Sequence, residues 1–165
     1  MNRICYTRWE SPVGKLLLAA DDGGLRHVHF PPTRRSGLPL SDWREDRSPL
    51  EETIRQLGAY FQGELREFDL PLSLAGTEFQ LQVWRKLREI LYGEIMSYGE
   101  LARQLGNSKG ARAVGLANGS NPIPIIVPCH RVIGGNGSLV GYGGGLSIKR
   151  RLLSLEAPQR CLRLD

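Results

Sequence analysis

Residues 74–80 read LAGTEFQ, and the pattern of the sequence changes there. Before this stretch, short apolar runs alternate with turn residues, whereas after it apolar residues recur at helical spacing. Thr77 and Gln80 have the spacing of a capping box, in which two polar side chains close the first turn of a helix. Strands followed by helices are typical of the α+β class. We therefore predict an α+β fold with two domains, residues 1–74 and residues 75–165.

The predicted N-terminal domain is a small antiparallel sheet with one helix. Its strand-like runs, ICYTRW, KLLLAA and LRHVHF, are separated by the turn sequences SPVG and DDGG. Residues 31–47 are polar and lack periodicity, so they are predicted to form a loop. Ser48 and Pro49 have the composition of a helix start, and the predicted helix ends near Gly63. The run EFDLPLSL, residues 67–74, is predicted to add one more strand.

The predicted C-terminal domain is mainly helical and contains a helix-turn-helix. After the helix that Thr77 opens, Ser97 opens a short helix and Ser108 opens the next one. Two short helices joined by a tight turn are the arrangement of a DNA reader, although the same corner is common in plain helix packing. A final helix is predicted to begin at Ser147. Its predicted apolar face comprises Ile148, Leu152 and Leu155.

The second helix of the pair is unusually bare. Most of its positions are glycine or alanine: Gly110, Ala111, Ala113, Gly115, Ala117 and Gly119. Because glycine costs about 1 kcal/mol inside a helix, several small residues together indicate close approach, either by another helix or by a nucleic-acid groove. Major-groove readers offer Arg, Asn or Gln to base edges, but this helix offers little beyond Lys109 and Arg112. Its composition favours a narrow groove that is recognised by shape.

Composition narrows the functions that we expect. The 165 residues are 41% hydrophobic and 24% charged, as in ordinary globular proteins. No apolar run approaches the ~20 residues of a membrane span, and no signal peptide is recognised. The cysteines, Cys5, Cys129 and Cys161, are odd in number and far apart, which favours reduced thiols in the cytoplasm. Residues 1–74 carry 10 Lys and Arg against 11 Asp and Glu, whereas residues 75–165 carry 12 against 6. The second domain is therefore the candidate for binding a polyanion, unless its basic surface serves solubility alone.

Residues 123–133 read IPIIVPCHRVI and place a cysteine beside a histidine. A free thiol with a pKa near ~8.5 needs a neighbouring base or positive charge to react. Adjacent side chains do not face each other in a strand or a helix, so Cys129 and His130 cooperate only through a turn or a bridging water. Flanking prolines stiffen the backbone, and the glycine-rich residues 134–145 allow a flat ligand to approach closely. The alternative is a buried structural cysteine beside a surface histidine.

The segments SYGELA, ARAVGLANGSNPIPIIVPCHR and LVGYGGGLSIKRRLLSLE closely resemble those of the O6-alkylguanine-DNA alkyltransferases, the methylated-DNA–protein-cysteine methyltransferases. The likeness is dense over residues 77–156 and thinner over the N-terminus, where SPVGKLLLA also fits. The resemblance implies a repair protein that flips O6-methylguanine, and other O-alkylated bases such as O4-methylthymine, through the minor groove of double-stranded DNA. It implies irreversible transfer of the alkyl group to one cysteine, without a cofactor, so that each molecule acts once. It also implies a monomer in solution and leaves cooperative binding along DNA open.

Carried over position by position, the resemblance assigns the catalytic residues. Cys129 accepts the alkyl group, His130 deprotonates it through a bridging water, and Glu156 orients the imidazole. Asn121 is the hinge between the recognition helix and the active-site strand. Tyr98 gives a proton to the departing guanine. The structural alternatives are a core tyrosine at position 98 and a surface acid at position 156.

Two further groups of residues follow from the resemblance. Arg112 enters the base stack and fills the space of the flipped nucleotide, with a phosphate clamp as the alternative. The other residues assigned to the DNA surface are Ser97, Lys109, Ala111 and Gly115. The residues assigned to the guanine pocket are Pro124, Arg131, Val140, Tyr142 and Gly143.

The sequence also departs from the family pattern. Leu91 stands where the family commonly has proline, and Gly143 stands where some relatives carry a serine in the pocket loop. Some relatives bind zinc in the N-terminal domain, but Cys5, His27 and His29 do not complete a four-ligand set. We therefore predict no metal site.

Two other functions stay open from the residues alone. A helix-turn-helix transcription regulator would discriminate strongly between DNA sequences, whereas a repair protein would show little preference among undamaged duplexes. A cysteine hydrolase built on Cys129, His130 and Glu156 would turn over repeatedly. It would also need an oxyanion hole, for which only the amides of the glycine-rich loop are candidates.

Overall fold

The chain forms two compact units, Met1–Ala75 and Gly76–Asp165. The structure is a computed structural model, which describes residues 3–31, 38–107, 109–159 and 163–164. The first unit carries an antiparallel sheet and one α-helix, and the second is mainly helical with short strands, which confirms the α+β class. The sequence pattern predicts a domain boundary between residues 74 and 75, and the two units divide one residue later, between Ala75 and Gly76.

The first unit is built on one sheet and the helix that follows it. Its elements are β1 (Cys5–Ser11), β2 (Gly14–Asp21), β3 (Gly24–His29), β4 (Arg44–Glu45) and α1 (Glu51–Phe61). The strand order is β3-β2-β1-β4, and the first three strands, as predicted, pair antiparallel in succession. The core of this unit includes fully buried side chains of β2 and α1: Leu16, Leu18, Leu57 and Tyr60.

Two predictions for the segment before α1 are wrong. Residues 31–47 were expected to be loop throughout, but they include β4, which pairs in parallel with β1. Residues 32–37 of this segment lie outside the described residues. Ser48 does not cap α1, because it lies in a separate 3₁₀ turn, Ser48–Leu50, and the helix begins only at Glu51. Its hydroxyl donates to Asp46 Oδ1 at 2.7 Å.

The run EFDLPLSL does not form the predicted strand. Leu72 makes an isolated parallel bridge with Leu25, whose N–H donates to the Pro71 carbonyl at 2.9 Å. Since proline has no N–H, it interrupts a regular ladder at this point. The Gln56 side chain instead satisfies the backbone of Asp69, donating to its carbonyl at 3.0 Å and accepting from its N–H at 2.9 Å.

The second unit is mainly helical. Its elements are α2 (Glu78–Leu87), β5 (Met96–Ser97), α3 (Tyr98–Gln104), α4 (Ala111–Gly119), β6 (Val132–Ile133), β7 (Ser138–Leu139), α5 (Leu146–Glu156) and β8 (Arg163–Leu164). The short strands pair in parallel, β5 with β6 and β7 with β8. Helices α3 and α4, which pack against each other, lie at the positions of the predicted helix-turn-helix. Within the described part of the chain, no helix combines the length and apolar character that crossing a membrane requires.

The helix starts of this unit follow the predicted caps in part. Thr77 and Gln80 form the complete capping box of α2, which confirms that prediction. Ser97 caps α3 by accepting from Glu100 N at 3.1 Å, but the Glu100 carboxylate accepts from a neighbouring arginine instead of returning to the cap. Ser108, which was expected to open α4, is not among the described residues.

Trp84 joins α2 to α4 in the core of the second unit. Its residue is 2% exposed, and its Nε1 donates to the Ala117 carbonyl at 2.8 Å. A Cβ at Gly76 would lie 2.7 Å from the Trp84 ring, so the glycine before the capping box allows the indole to sit close. Helix α2 ends at Leu87, and the family departure at Leu91 therefore lies beyond the helix, on a side chain that is 56% exposed.

Candidate active site

Cys129 lies in a 3₁₀ turn, Cys129–Arg131, and not in the strand that we expected. Arg131 N closes this turn by donating to the Pro128 carbonyl at 3.0 Å. A 3₁₀ helix has three residues per turn, so successive side chains point about 120° apart. Cys129 and His130 consequently face different directions, and the imidazole reaches the sulfur only through an intermediary.

The backbone that leads into this turn is strained at Ile125. Its φ is +76°, the only positive value for a residue other than glycine in the described part of the chain. A β-branched residue in this conformation costs of order 1–3 kcal/mol, which the surrounding packing must offset. Val127 N donates to the Ile123 carbonyl at 3.0 Å across the strained residue, and Pro124, assigned to the pocket, is buried inside this loop. The approach to Cys129 is therefore held in one preset shape.

His130, Arg131 and Glu156 form a buried network behind the turn. His130 Nε2 lies 2.7 Å from Glu156 Oε2. Arg131 donates from Nε to Glu156 Oε1 at 2.8 Å and from Nη2 to Oε2 at 3.0 Å. Its Nη1 donates to the Ile90 carbonyl at 2.7 Å. Our assignment of Arg131 to the guanine pocket is corrected by these contacts, because its guanidinium is the counter-charge of a buried carboxylate.

Burial and pairing set the protonation states in this network. Burial alone favours the neutral acid at Glu156, but the hydrogen bonds and charges of His130 and Arg131 outweigh it and hold the pKa well below its usual range. Burial lowers the pKa of His130, although Glu156 acts in the opposite direction. His130 is therefore neutral near pH 7, donates from Nε2 to the carboxylate and keeps a lone pair on Nδ1. Among the described residues, no hydrogen-bond partner meets Nδ1.

The Cys129 thiol is buried among polar groups. The residue is 4% exposed, and burial raises the pKa of the thiol to about 11. The Asn121 and Tyr142 side chains and the positive charge of Lys149 act in the opposite direction and lower this pKa. The sulfur therefore rests as a thiol, and reaction requires that its proton be removed at the site.

Two asparagines fix the Cys129 backbone to the end of α4. Asn121 donates from Nδ2 to the Val127 carbonyl at 2.8 Å and accepts from Ile123 N at 2.9 Å. Asn118 donates from Nδ2 to the Cys129 carbonyl at 3.4 Å. Asn121 thus lies where a hinge between α4 and the turn is expected. Sequence reasoning did not single out Asn118. Its position on the buried face of α4, where a polar side chain needs a partner, could have indicated it.

Lys149 is a site residue that sequence reasoning missed. It is fully buried on α5. Its Nζ donates to the carbonyl oxygens of Val132 at 2.7 Å, Val140 at 2.9 Å and Gly141 at 3.4 Å. The ammonium group therefore connects β6, next to the active-site turn, with the segment that follows β7.

The buried face of α5 differs from the predicted one. The helix begins at Leu146, one residue before Ser147, and its predicted apolar residues Ile148 and Leu155 are only half buried. The residues that are buried lie at helical spacing and include two charged ones: Lys149, Leu152, Leu153 and Glu156. A lysine and a glutamate in register with buried leucines were the sequence signal for a polar site under this helix.

Tyr98 lies at the start of α3, beside the same segment. Its hydroxyl donates to the Val140 carbonyl at 3.3 Å, and its ring centre is 5.9 Å from Lys149 Nζ. Burial raises the pKa of Tyr98, as does the negative charge that Cys129 can carry, so the hydroxyl keeps its proton. A Cβ at Gly115 would lie 3.9 Å from the Tyr98 ring. The tyrosine ring therefore packs beside α4 at one of the small residues of that helix.

The outer face of α4 is exposed and carries few large side chains. Leu116 is 70% exposed, and Arg112 lies one turn earlier on the same exposed face. Lys109 is exposed just before the helix, whereas Ala111 and Gly115 are half buried. The two basic residues assigned to DNA thus both lie at the N-terminal end of α4. Ser97, also assigned to DNA, uses its hydroxyl to cap α3.

Residues 140–145 link β7 to α5 and carry the remaining residues assigned to the pocket. Val140 offers its carbonyl to Lys149 and is 37% exposed, and the Tyr142 side chain acts to lower the pKa of the Cys129 thiol. Gly143 is exposed, and a side chain there would project into open space. The Val140 carbonyl therefore contacts Tyr98 and Lys149, whereas Gly143 only leaves room.

Cys5, His27 and His29 of the first unit lie on the sheet. Residues 3–31, 38–107, 109–159 and 163–164 include no cluster of three or more His, Cys, Asp or Glu side chains placed to hold a metal ion. His27 stacks on Trp43 with ring centres 5.3 Å apart, and burial lowers its pKa to about 4.

The buried network predicts that stability falls in acid. The pKa values of His130 and Glu156 are both lower in the folded chain than their usual 6.5 and 4.5, so the unfolded chain binds more protons at low pH. The free energy of unfolding should decrease as the pH falls below about 6.5, and decrease further below about 4.5. Urea unfolding at a series of pH values between 8 and 4 measures this free energy.

A His130→Gln variant is the control for this pH dependence. In this variant the free energy of unfolding should decrease less near pH 6.5 and should still decrease below pH 4.5. Some decrease near pH 6.5 should persist, because burial also lowers the pKa values of His27 and His29. A variant profile that coincides with that of the parent over the whole range would contradict the assignment of a neutral, buried His130.

Family models match both halves of the chain. The model described as "6-O-methylguanine DNA methyltransferase, DNA binding domain" matches residues 78–158, and the model described as "6-O-methylguanine DNA methyltransferase, ribonuclease-like domain" matches residues 4–74. The methylated-DNA–protein-cysteine methyltransferase of Methanosarcina acetivorans is 54% identical over 151 residues, covering 92% of this chain and 97% of the relative. That of Mycolicibacterium paratuberculosis is 51% identical over 158 residues, covering 93% and 92%.

Solved structures agree with these sequence relatives. The crystal structure of Mycobacterium tuberculosis O6-methylguanine methyltransferase superimposes with a TM-score of 0.88 at 48% identity, covering 96% of this chain and 95% of that one. The crystal structure of Mycobacterium tuberculosis OGT in complex with DNA gives a TM-score of 0.86 at 50% identity, with 93% of each chain covered. Both likenesses extend over the sheet unit as well as the helical unit.

Proposed function

Because this chain belongs to the 6-O-methylguanine DNA methyltransferase family, we propose that it repairs alkylated DNA by direct reversal, with Cys129 as the alkyl acceptor. The substrate is a guanine that carries an alkyl group on O6, and the proposal extends to other O-alkylated bases such as O4-methylthymine. The product is a thioether on the protein, which the reaction does not reverse, so each molecule acts once.

The proposed chemistry is one displacement with one proton transfer at each end. The thiol proton of Cys129 passes through a bridging water to Nδ1 of His130. The thiolate then attacks the alkyl carbon in line with the bond to O6, so that an S–C bond forms while the C–O bond breaks. The electron pair of the broken bond stays on the guanine, which takes a proton from the Tyr98 hydroxyl. The protonated His130 then releases its proton to solvent while Tyr98 is reprotonated, and the reaction needs no cofactor.

One observation carries this proposal. The Glu156 carboxylate holds Nε2 of His130 at 2.7 Å, while Nδ1 of the same ring has no partner among the described residues and the buried thiol is the adjacent residue. A neutral imidazole oriented in this way is a base that can receive a proton. A cysteine kept only for packing requires neither a buried carboxylate behind the histidine nor polar side chains on its sulfur.

The proposed DNA surface is the outer face of α4. Its exposed residues are small apart from Arg112 and Leu116, which suits close approach to the backbone of a narrow minor groove. Lys109 and Arg112 at the start of the helix supply positive charge to this surface, and Arg112 is proposed to fill the space of the flipped nucleotide. Affinity for duplex DNA should therefore fall steeply with salt concentration.

A single-turnover assay with peptide mass mapping tests the proposed function. Excess duplex DNA with one O6-methylguanine should lose at most one methyl group per protein molecule, and the methyl group should be found on the peptide that contains Cys129. Repeated turnover would favour a cysteine hydrolase instead. Strong preference among undamaged duplexes, without methyl transfer, would favour a transcription regulator. The family relatives support neither of these alternatives.

Replacing Arg112 with alanine is expected to slow repair of duplex DNA about tenfold or more, while the slower reaction with the free base O6-methylguanine stays within about twofold. The reason is that an intercalated arginine stabilises the flipped state, which the free base does not require. Single-turnover rates on the two substrates give the measurement. Arg85→Ala removes another exposed arginine, from α2, and is the matched control. Equal losses on both substrates would show that Arg112 has no part in flipping.

The proposed setting is the cytoplasm, with the protein acting as a monomer. An alkyl acceptor must stay a free thiol, and Cys129 and Cys5 are both free in the structure. Reducing compartments keep such thiols unpaired. Analytical ultracentrifugation with and without DNA measures the monomer and also shows whether binding along DNA is cooperative.

A further inference from the structure

Asn118 is a buried polar residue with one atom that the reaction described above does not use. The residue lies on the inner face of α4 and is 4% exposed. Its Nδ2 donates to the Cys129 carbonyl at 3.4 Å, whereas no hydrogen-bond partner among the described residues meets its Oδ1. A buried acceptor without a donor costs free energy, and a leucine would fill a similar volume without that cost. The unpaired oxygen is therefore expected to meet a donor that arrives with the substrate.

The neighbours of Asn118 fix which end of its amide is unpaired. Exchange of the nitrogen and the oxygen would set Oδ1 against the Cys129 carbonyl, and two acceptors would then face each other. Burial raises the pKa of Tyr98, and the Asn118 side chain acts in the opposite direction, as an N–H donor near the phenol oxygen does. The nitrogen end of the amide therefore faces Cys129 and Tyr98, and the oxygen end is the unpaired one.

The proposed reaction brings the flipped base against both of these neighbours. The sulfur of Cys129 attacks the alkyl group on O6, and the Tyr98 hydroxyl gives its proton to the same base. Oδ1 and Nδ2 of Asn118 belong to one planar amide about 2.3 Å across, so Oδ1 lies within about 6 Å of the Cys129 carbonyl oxygen. The edge of a base that reacts with the sulfur therefore comes close to Oδ1.

The chemistry of the alkylated base identifies the donor. Alkylation at O6 removes the proton from N1 of guanine, so the exocyclic 2-amino group is the remaining N–H donor on the Watson–Crick edge. Alkylation at O4 removes the proton from N3 of thymine, and that edge then carries no N–H donor. Flipped bases are recognised by hydrogen bonds to this edge. An unpaired acceptor beside the sulfur can therefore distinguish the two lesions.

We propose that Asn118 is a specificity-determining residue, whose Oδ1 accepts a hydrogen bond from the 2-amino group of the flipped O6-alkylguanine. This inference rests on the proposed function. A base without that donor leaves the buried oxygen unpaired, so the site favours O6-alkylguanine over O4-alkylthymine. Helix α4 thus serves recognition on two faces, with Arg112 on the outer face toward DNA and Asn118 on the inner face toward the base.

Removal of the 2-amino group from the substrate tests this contact. O6-methylhypoxanthine is O6-methylguanine without that group, and single-turnover rates are measured on duplexes that carry either base. The parent should react with O6-methylguanine about tenfold faster or more, and Asn118→Leu should reduce this ratio to within about twofold. The ratio cancels any loss that both substrates share, such as loss of the Nδ2 contact. Asn107→Leu makes the same change at an exposed position before α4 and should keep the parental ratio.

Two further comparisons separate the acceptor from the rest of the side chain. Asn118→Asp keeps an oxygen acceptor at this position, so it should keep a preference for O6-methylguanine of about tenfold or more, even where its absolute rates fall. In Asn118→Leu the preference for O6-methylguanine over O4-methylthymine should fall by the same factor as the preference over O6-methylhypoxanthine. A folded Asn118→Leu protein with the parental ratios would overturn the proposal, as would equal loss of preference in both variants.

Free bases extend the test to the parent alone. Free O6-methylguanine and O6-methylhypoxanthine require neither unpairing nor flipping, so the difference between their rates depends on contacts in the site. Equal rates in the parent would count against the proposal even if the Asn118 variants fail to fold. Methyl transfer to Cys129 at equal rates from both bases refutes only this inference. Absence of transfer to Cys129 from O6-methylguanine duplex DNA refutes the proposed function, and this inference with it.

Discussion

Cys129→Ser is expected to transfer no detectable methyl group from O6-methylguanine duplex DNA, a loss of about 10⁴-fold or more, as for removal of other enzyme nucleophiles. The serine hydroxyl is a far weaker acid than the thiol, so the neutral imidazole of His130 cannot generate an anion from it. The side chains are nearly the same size, and the site should keep its fold. The measurement is the methyl content of both DNA and protein after a long incubation.

Binding measurements distinguish loss of chemistry from loss of recognition. The Cys129→Ser protein should still bind duplex DNA with the affinity of the parent, because the proposed DNA surface lies on α4 and not at the sulfur. Cys5→Ser is the matched control, since Cys5 is a second free thiol that lies in the other unit. It should transfer one methyl group per molecule, as the parent does. Demethylation of DNA by folded Cys129→Ser protein would remove Cys129 from the mechanism.

Glu156→Ala is expected to lower the free energy of unfolding by about 3–5 kcal/mol, the range for breaking a buried ion pair on one side. The carboxylate accepts three close contacts, two from Arg131 and one from His130, and the residue is only 7% exposed. Its removal leaves the buried guanidinium without a counter-charge and the imidazole without its orienting group. Urea unfolding gives the stability, and Glu89→Ala, which removes an exposed glutamate, is the control.

The same variant should slow methyl transfer about 10²-fold, because the tautomer of His130 that presents its lone pair at Nδ1 is no longer enforced. A double variant separates this effect from instability. Replacing Arg131 with methionine and Glu156 with leucine removes both charges at once and should restore much of the lost stability. Transfer should stay slow, since His130 still lacks its partner. A double variant that regains the parental rate would show that Glu156 acts through the fold alone.

Local signals predicted the elements whose partners are close in sequence. The capping box of Thr77 and Gln80 and the alternating runs of β1 to β3 needed no distant information, and they are confirmed. Ser48 had the same appearance as a cap, but it lies in a 3₁₀ turn that precedes α1, and the helix begins only at Glu51. The run before residue 75 failed as a strand because its proline lacks the N–H that a regular ladder requires.

The site shows the same division between near and distant partners. The pairing of His130 with Glu156, which the family resemblance implied, spans 26 residues and is present in the structure. Arg131 was misassigned to the pocket, because its partners, Glu156 and the Ile90 carbonyl, are 25 and 41 residues away. Lys149 was overlooked for the same reason, since a lysine in a helix is usually exposed and its acceptors come from two separate segments.

The sequence alone determined the first three strands, the α+β class, the family and the identity of the candidate acceptor, because these follow from residue types at fixed spacing. The tertiary structure alone decided which side chains are charged and which atoms keep a lone pair without a hydrogen-bond partner. Burial and partners far along the chain raise the pKa of Cys129, keep His130 neutral with Nδ1 available, and commit Arg131 to Glu156. Protonation depends on solvent exclusion and on distances between charges, and both exist only after the chain has folded.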